Sequence, residues 1–224
     1  METMRELVMG IVEFREQHLP ELAERFEKLA MGQSPNTLFI TCADSRVVPN
    51  LLLSTDPGDL FTMRNVGNLI PPATTDGVST GDLSEASAIE YAVSILEVPN
   101  IVVCGHSGCG AMKAVMDPEM VSGAPNLGRW LYHADEAAFR LSRDGPLDKS
   151  LPGHDQLSQL NVLSQLDHLR TYPAVRERVS KGKLLLNGWW FDIGSGAMYA
   201  WQEQERRFVL IDRKFAESTA IAPD

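Results

Sequence analysis

Residues Ile101-Val-Val-Cys104-Gly-His106-Ser-Gly-Cys109-Gly110 set an almost wholly apolar run against a glycine-rich turn, and Ala111 to Met116 follows at helical spacing. A run of this kind is a strand buried on both faces, as inside a parallel sheet. A second run, residues 37–41 (TLFIT), ends directly at Cys42-Ala-Asp44-Ser-Arg46. Residues 60–63 (LFTM) form a third. Between this third run and Ile101, Asp82-Leu-Ser-Glu85 has capping-box spacing, and residues 86–96 carry Ile89, Val93 and Leu96 on one helical face before Pro99-Asn100 stops the helix. Strand, helix, strand, turn and helix in this order predict an α/β fold with a central, mostly parallel sheet flanked by helices.

Outward from that segment the pattern varies. Residues 4–17 and 20–31 read as two amphipathic helices, with Leu7, Ile11 and Phe14 on one face of the first, Leu22, Phe26 and Leu29 on one face of the second, and Pro20 near N1 of the second. Preceding every strand, they have no sheet to cover, so a partner subunit is one expected resting place. Residues 117–158 read as irregular around Pro118, Pro125, Pro146 and Pro152, apart from a helix at 126–142. A helix over 161–170, a short one from Pro173, and strands at 184–193, 198–201 and 208–211 complete the chain. Of the adjacent Trp189 and Trp190, one should face the core and the other an interface. No linker divides the sequence, so residues 1–224 read as one domain: a helical arm (1–31), a metal-site core (32–116), and helices with C-terminal strands (117–224).

The 224 residues carry 20 Lys+Arg against 30 Asp+Glu, a formal charge of −10, which argues against nucleic acid and anionic membrane surfaces as partners. Nothing approaches the roughly 18 apolar residues of a membrane span, and the mixed-charge start lacks a secretory h-region. Three cysteines make no disulfide scaffold, so a reducing, cytoplasmic setting with metal-binding or catalytic thiols is expected.

Cys42 and His106-Ser-Gly-Cys109 both follow buried strands, and in a parallel sheet the carboxyl ends of strands open into one crevice. Cys, His and Cys suit zinc (Zn2+), and Cys104, one residue before the turn, belongs to the core. With no fourth Cys or His at hand, one coordination position stays open, as in catalytic rather than structural sites. Asp44 is the nearest oxygen and Arg46 its natural two-pronged partner. If that pair broke, the carboxylate could swing onto the metal and switch the site off. Two thiolates leave zinc formally neutral, so activity should favour mildly alkaline pH. Arg64 and Asn65 either satisfy a turn or face the site. His18, His133, His154 and His168 lack ligand spacing and read as solvated. The turn at 105–110 lacks the Lys of a phosphate loop and the final glycine of a serine-hydrolase elbow.

Cys-Ala-Asp-Ser-Arg46 and Gly105-His-Ser-Gly-Cys-Gly110, together with Asp56-Pro-Gly58, Arg64-Asn-Val-Gly67 and Ala88-Ile-Glu-Tyr91, resemble the β-class carbonic anhydrases. The chain is most similar to their plastid and carboxysomal branch, in which a Gln, a Phe and a Tyr line the carbon dioxide pocket; Gln33, Phe61 and Tyr91 stand at those motif positions. The resemblance adds Val66 and Gly110 to the substrate-binding set, makes Asp44 and Arg46 catalytic, and makes Cys42, His106 and Cys109 the zinc ligands. The branch with an allosteric bicarbonate site has Trp three residues before the first zinc Cys; here Phe39 stands there, which implies an ungated site with Asp44 off the metal. The implied reaction is reversible hydration of carbon dioxide to bicarbonate by zinc-bound hydroxide. Hydrolysis of carbonyl sulfide or carbon disulfide, or a non-catalytic zinc-stabilised assembly module, are the alternatives. A homodimer or higher even-numbered oligomer, its N-terminal helices wrapping the partner, is implied too, and a carboxysome-like compartment is an alternative location.

Overall fold

A computed structural model describes residues 3–219, so residues 1–2 and 220–224 of the expected domain lie outside it. In chain order the elements are α1 (Met4–Glu13), α2 (Leu19–Leu29), β1 (Thr37–Cys42), α3 (Pro49–Leu53), β2 (Leu60–Asn65), α4 (Leu83–Glu90), β3 (Asn100–His106) and α5 (Gly110–Met116). Then come α6 (Pro125–Trp130), α7 (Asp135–Asp144), α8 (Gly153–Leu169), α9 (Pro173–Ser180), β4 (Leu185–Asp192), β5 (Ala197–Gln202), β6 (Arg207–Leu210) and α10 (Arg213–Thr219).

The strands form one sheet in the order β2-β1-β3-β4-β5-β6. The first four are parallel, and β5 and β6 are added antiparallel by short turns. Alternation along β1 and β3 sends Leu38, Ile40, Ile101 and Val103 to one face, where Ile89, Val93, Val162 and Leu166 of the flanking helices cover them. Phe39, Val102 and Cys104 point to the other face, against Val47, Leu52 and Leu53 around α3. Covering both faces explains why these strands are apolar throughout.

Three expectations are corrected. The two expected N-terminal helices are not separate: α1 runs through a π-turn at Phe14–His18 into α2, whose first turn holds Pro20 as expected, and the Leu19 N–H reaches back to the Phe14 carbonyl. The wider turn absorbs the disruption a proline brings to the α ladder. The helix expected at 126–142 is three pieces, α6, a 3-10 turn at Leu131–Ala134, and α7. The helix expected at 161–170 begins at Gly153. Its buried face carries Asp155, Ser158, Asn161 and Gln165 beside Leu157, Leu160 and Val162, so no apolar stripe marks it.

Among its described residues the arm buries no side chain. Arg25 of α2 clamps the 56–59 turn, donating from Nε to the Pro57 carbonyl at 2.7 Å and pairing with Asp56 and Asp59. Beyond it, Leu7, Val8 and Ile11 stand 50–62% exposed.

Candidate metal centre

Parallel pairing sets Thr41 beside Cys104, so Cys42 at the end of β1 and His106 at the end of β3 emerge side by side. The turn after His106 needs a left-handed residue, supplied by Gly108 at φ +64°, and it returns the chain so that Cys109 caps α5. The two sulfurs and the imidazole nitrogen lie within 4.8 Å of one another, all buried. His106 Nδ1 lies 2.9 Å from the Ser107 carbonyl and donates to it, which leaves Nε2 facing the sulfurs. That Nε2 is buried with no hydrogen-bond partner.

The charges within the cluster point the same way. A hydrogen bond from the Cys109 thiol, helped by the neighbouring His106 ring and by the Gly67 N–H at 3.4 Å, outweighs burial and holds the Cys42 thiol well below its ordinary range. Cys109, as that donor and in the same buried place, is pushed up. Burial lowers His106, but the negative charge of the nearby Cys42 sulfur and Asp44 carboxylate outweighs this and raises it. One proton is thus shared where a divalent cation would neutralise two thiolates, and an orphaned nitrogen completes the donor set. Two sulfurs and one imidazole suit zinc.

Beside the cluster, Arg46 grips Asp44 with Nε at 2.9 Å from Oδ1 and Nη2 at 2.7 Å from Oδ2, and its backbone N–H adds a third bond at 3.0 Å. This guanidinium holds the Asp44 carboxyl well below the usual carboxylate range. Asp44 Oδ2 lies 3.8 Å from His106 Nε2. Arg64 and Asn65 prove to be turn-holders: Arg64 donates to the carbonyls of Cys42 and Asp44, and the Asn65 side chain bonds both backbone groups of Leu69. Phe39 is fully buried, edge-on to Trp189. Trp190 is the core-facing one of the pair, buried on the sheet's other face, where its Nε1–H reaches Ser158, while Trp189 is only partly buried. Cys104 is core, and burial pushes its thiol up to about 12.

Sequence reading found only the second half of the helix that holds these turns, and not its role. One face of α8 presents Asp155 to the Gly108 N–H at 2.6 Å, Ser158 to the His106 carbonyl at 2.9 Å, and Asn161 to the Gly67 carbonyl at 3.0 Å. Further along, Gln165 accepts from the Ile70 N–H at 2.7 Å, and His168 donates to the Ile70 carbonyl at 2.7 Å. The positions recur every three or four residues, so they share one side of the helix. Nothing local signals them, because their partners stand 47 to 98 residues away. Of the histidines read as solvated, only His18 is exposed. His133 stacks edge-on against Trp130, and His154 Nε2 lies 3.4 Å from Asp155 Oδ1.

The remaining expected site residues divide into two groups. Val66, 43% exposed, adjoins Gly67 and accepts the Trp130 Nε1–H at its carbonyl. Gly110 opens α5, exposed, with no atom within 4 Å of where a Cβ would stand. Phe61 and Tyr91 stack at 5.8 Å, but Phe61 pairs with Leu38, four residues before Cys42, which is about 13 Å along the strand. Gln33 lies exposed in the loop after α2. Within one chain these three stand apart from the cluster.

A family model described as carbonic anhydrase matches residues 37–198. The carbonic anhydrase of Pseudomonas aeruginosa is 41% identical over 208 residues, covering 93% of this chain and 92% of that one. The carbonic anhydrase of Synechococcus elongatus is 42% identical over 200 residues, 86% of this chain and 70% of that one. Among solved structures, the beta-carbonic anhydrase CcaA superposes with a TM-score of 0.84 at 38% identity over 92% of this chain and 98% of that one. A structure of tetrameric beta-carbonic anhydrases from Sordaria macrospora matches with a TM-score of 0.68 at 31% identity, over 88% and 92%.

Proposed function

The chain belongs to the beta-carbonic anhydrase family, and from that premise we propose how its residues carry the zinc-dependent, reversible hydration of carbon dioxide to bicarbonate and a proton. Cys42, His106 and Cys109 hold the zinc, which when bound acts as a Lewis acid that makes water a nucleophile near neutral pH. Asp44, locked as a carboxylate by Arg46, accepts the hydrogen bond of the attacking oxygen and so aims its lone pair at the carbon. Arg46 keeps that carboxylate turned from the ligands. Val66 supplies apolar lining, and the Gly110 N–H at the start of α5 binds an oxygen of bicarbonate. The product proton passes to buffer.

Gln33, Phe61 and Tyr91 enter the pocket from a second copy of the chain. Their distance from their own cluster and the half-exposed Phe61–Tyr91 pair support this, as does an arm whose apolar residues find no cover. The unit is then a homodimer or a higher even-numbered oligomer; a related structure is described as tetrameric. We read residues 1–224 as one domain, and the cytoplasm, or a carboxysome-like compartment within it, as the setting. No helix among the described residues is long and apolar enough to cross a membrane.

The observation that carries this reading is the buried Cys42–His106–Cys109 cluster beside an arginine-locked carboxylate. Zinc per chain and the hydration rate from pH 6 to 9 test it. One zinc per chain and a rate rising toward mildly alkaline pH are expected. A metal-free, fully active protein or a flat profile overturns it.

A further inference from the structure

Gly108 is the one residue of the metal-binding turn held at both its N–H and its carbonyl by side chains from outside the turn. Its N–H donates to Asp155 Oδ1 at 2.6 Å, and its carbonyl accepts from Arg46 Nη2 at 3.3 Å. The same Nη2 holds Asp44 Oδ2. A continuous path therefore runs from the first turn of α8, through one glycine, to the carboxylate that aims the nucleophile.

The neighbouring atoms of the turn are pinned separately. Ser107 donates its N–H to the Phe191 carbonyl and accepts the Ile193 N–H at its Oγ, both at 2.9 Å. The His106 carbonyl is taken by Ser158. What these bonds leave free is rotation about Gly108 itself, which at φ +64° has no Cβ to restrict it, and whose Cα faces the Arg46 guanidinium. Asp155 is 6% exposed, and its short, charge-assisted bond to the Gly108 N–H supplies that restriction.

We propose that Asp155 is a positioning residue for the hydration reaction, acting through Gly108 to set the Arg46 guanidinium and with it Asp44. The proposal rests on the carbonic anhydrase reading above. His154, whose Nε2 lies 3.4 Å from the same Asp155 oxygen, steadies the carboxylate from the open side.

The test is stopped-flow hydration by zinc-loaded protein. Asp155→Ala lowers kcat at least 10-fold with KM within twofold and zinc per chain unchanged, the pattern of a lost interaction that matters only in the transition state. Asp155→Asn, whose amide oxygen still accepts the Gly108 N–H, stays within threefold of the parent. Asp155→Glu keeps an acid in the first turn of α8 but displaces the oxygens by a methylene, and it loses at least fivefold; it serves as well should the alanine variant fail to fold. In the Asp44→Ala background, Asp155→Ala costs less than a further twofold, because the residue it acts through is gone. Independently of activity, the Gly108 amide proton in the metal-free protein moves upfield in Asp155→Ala and stays in place in Asp155→Asn. Asparagine failing as far as alanine, additive losses in the double variant, or an unmoved amide each overturns the proposal. A parent chain without hydration activity overturns the family reading instead.

Discussion

Asp44 and Glu85 are two carboxyls in opposite circumstances. Asp44 is ionised and held by a two-pronged arginine. Asp44→Ala should therefore lose at least about 100-fold in kcat, within the range of a lost general acid–base group, while retaining one zinc per chain. Hydration at the parent rate, or loss of the metal, contradicts its role. Glu85 is 8% exposed; Oε1 accepts from Asn65 while Oε2 is buried without a partner, and burial raises its carboxyl above the ordinary range. Its folded-state pKa thus exceeds that of the unfolded chain, so stability falls as pH rises through the folded value, and the penalty is absent below the ordinary carboxylate range. Glu85→Gln should raise the Tm by about 2–4 °C at pH 8 and leave it unchanged near pH 4; an equal gain at both pH values refutes the account. At this scale much of the site was legible. Cys42, His106 and Cys109 betray themselves because thiol and imidazole directly after buried strands have few other uses. Asp155 betrays nothing, since its single partner arrives through the fold.

Strands β1 and β3 were readable because burial on both faces leaves an unbroken apolar run, whereas α8 was half lost because its buried face is polar. The polar face makes α8 the scaffold of the turns, and its close approach to β3 requires glycine. A Cβ on Gly105 would stand 2.8 Å from Val162 Cγ2 and 3.3 Å from the Ser158 backbone carbonyl. Gly105→Ala should cost about 1–3 kcal/mol by chemical denaturation and weaken zinc retention against a chelator, because the strand and the Ser158 bond to His106 cannot both keep their places. A variant as stable as the parent shows that α8 can yield. The opposite kind of change, Leu157→Ala at a fully buried apolar site on the same helix, should cost about 2–5 kcal/mol without touching any hydrogen bond of the turns. The breaks that divide 125–144 into three helical pieces escaped sequence reading because the apolar period continues across them.

In the whole molecule, the sheet and its two covers account for the core but not for the arm. Leu7, Val8, Met9 and Ile11 lie 50–62% exposed around one helix, more apolar surface than an isolated chain usually presents to water. Removing residues 1–31 should reduce the assembly to monomers by light scattering and abolish hydration, since Gln33, Phe61 and Tyr91 then reach no neighbouring pocket; an active truncated monomer contradicts the shared site. Two helices preceding every strand pointed to a second subunit, whereas nothing in the motifs points to the proposed division of the pocket between chains, because motif positions carry no subunit label. The ligands also belong to segments far apart in synthesis. Cys42 leaves the ribosome more than sixty residues before His106 and Cys109, and α8, which braces their turn, comes later still. The nascent polypeptide therefore has all three ligands only once residue 109 is out, near its midpoint, and a braced turn to hold them only after α8 has followed, so firm zinc retention waits on the second half of synthesis.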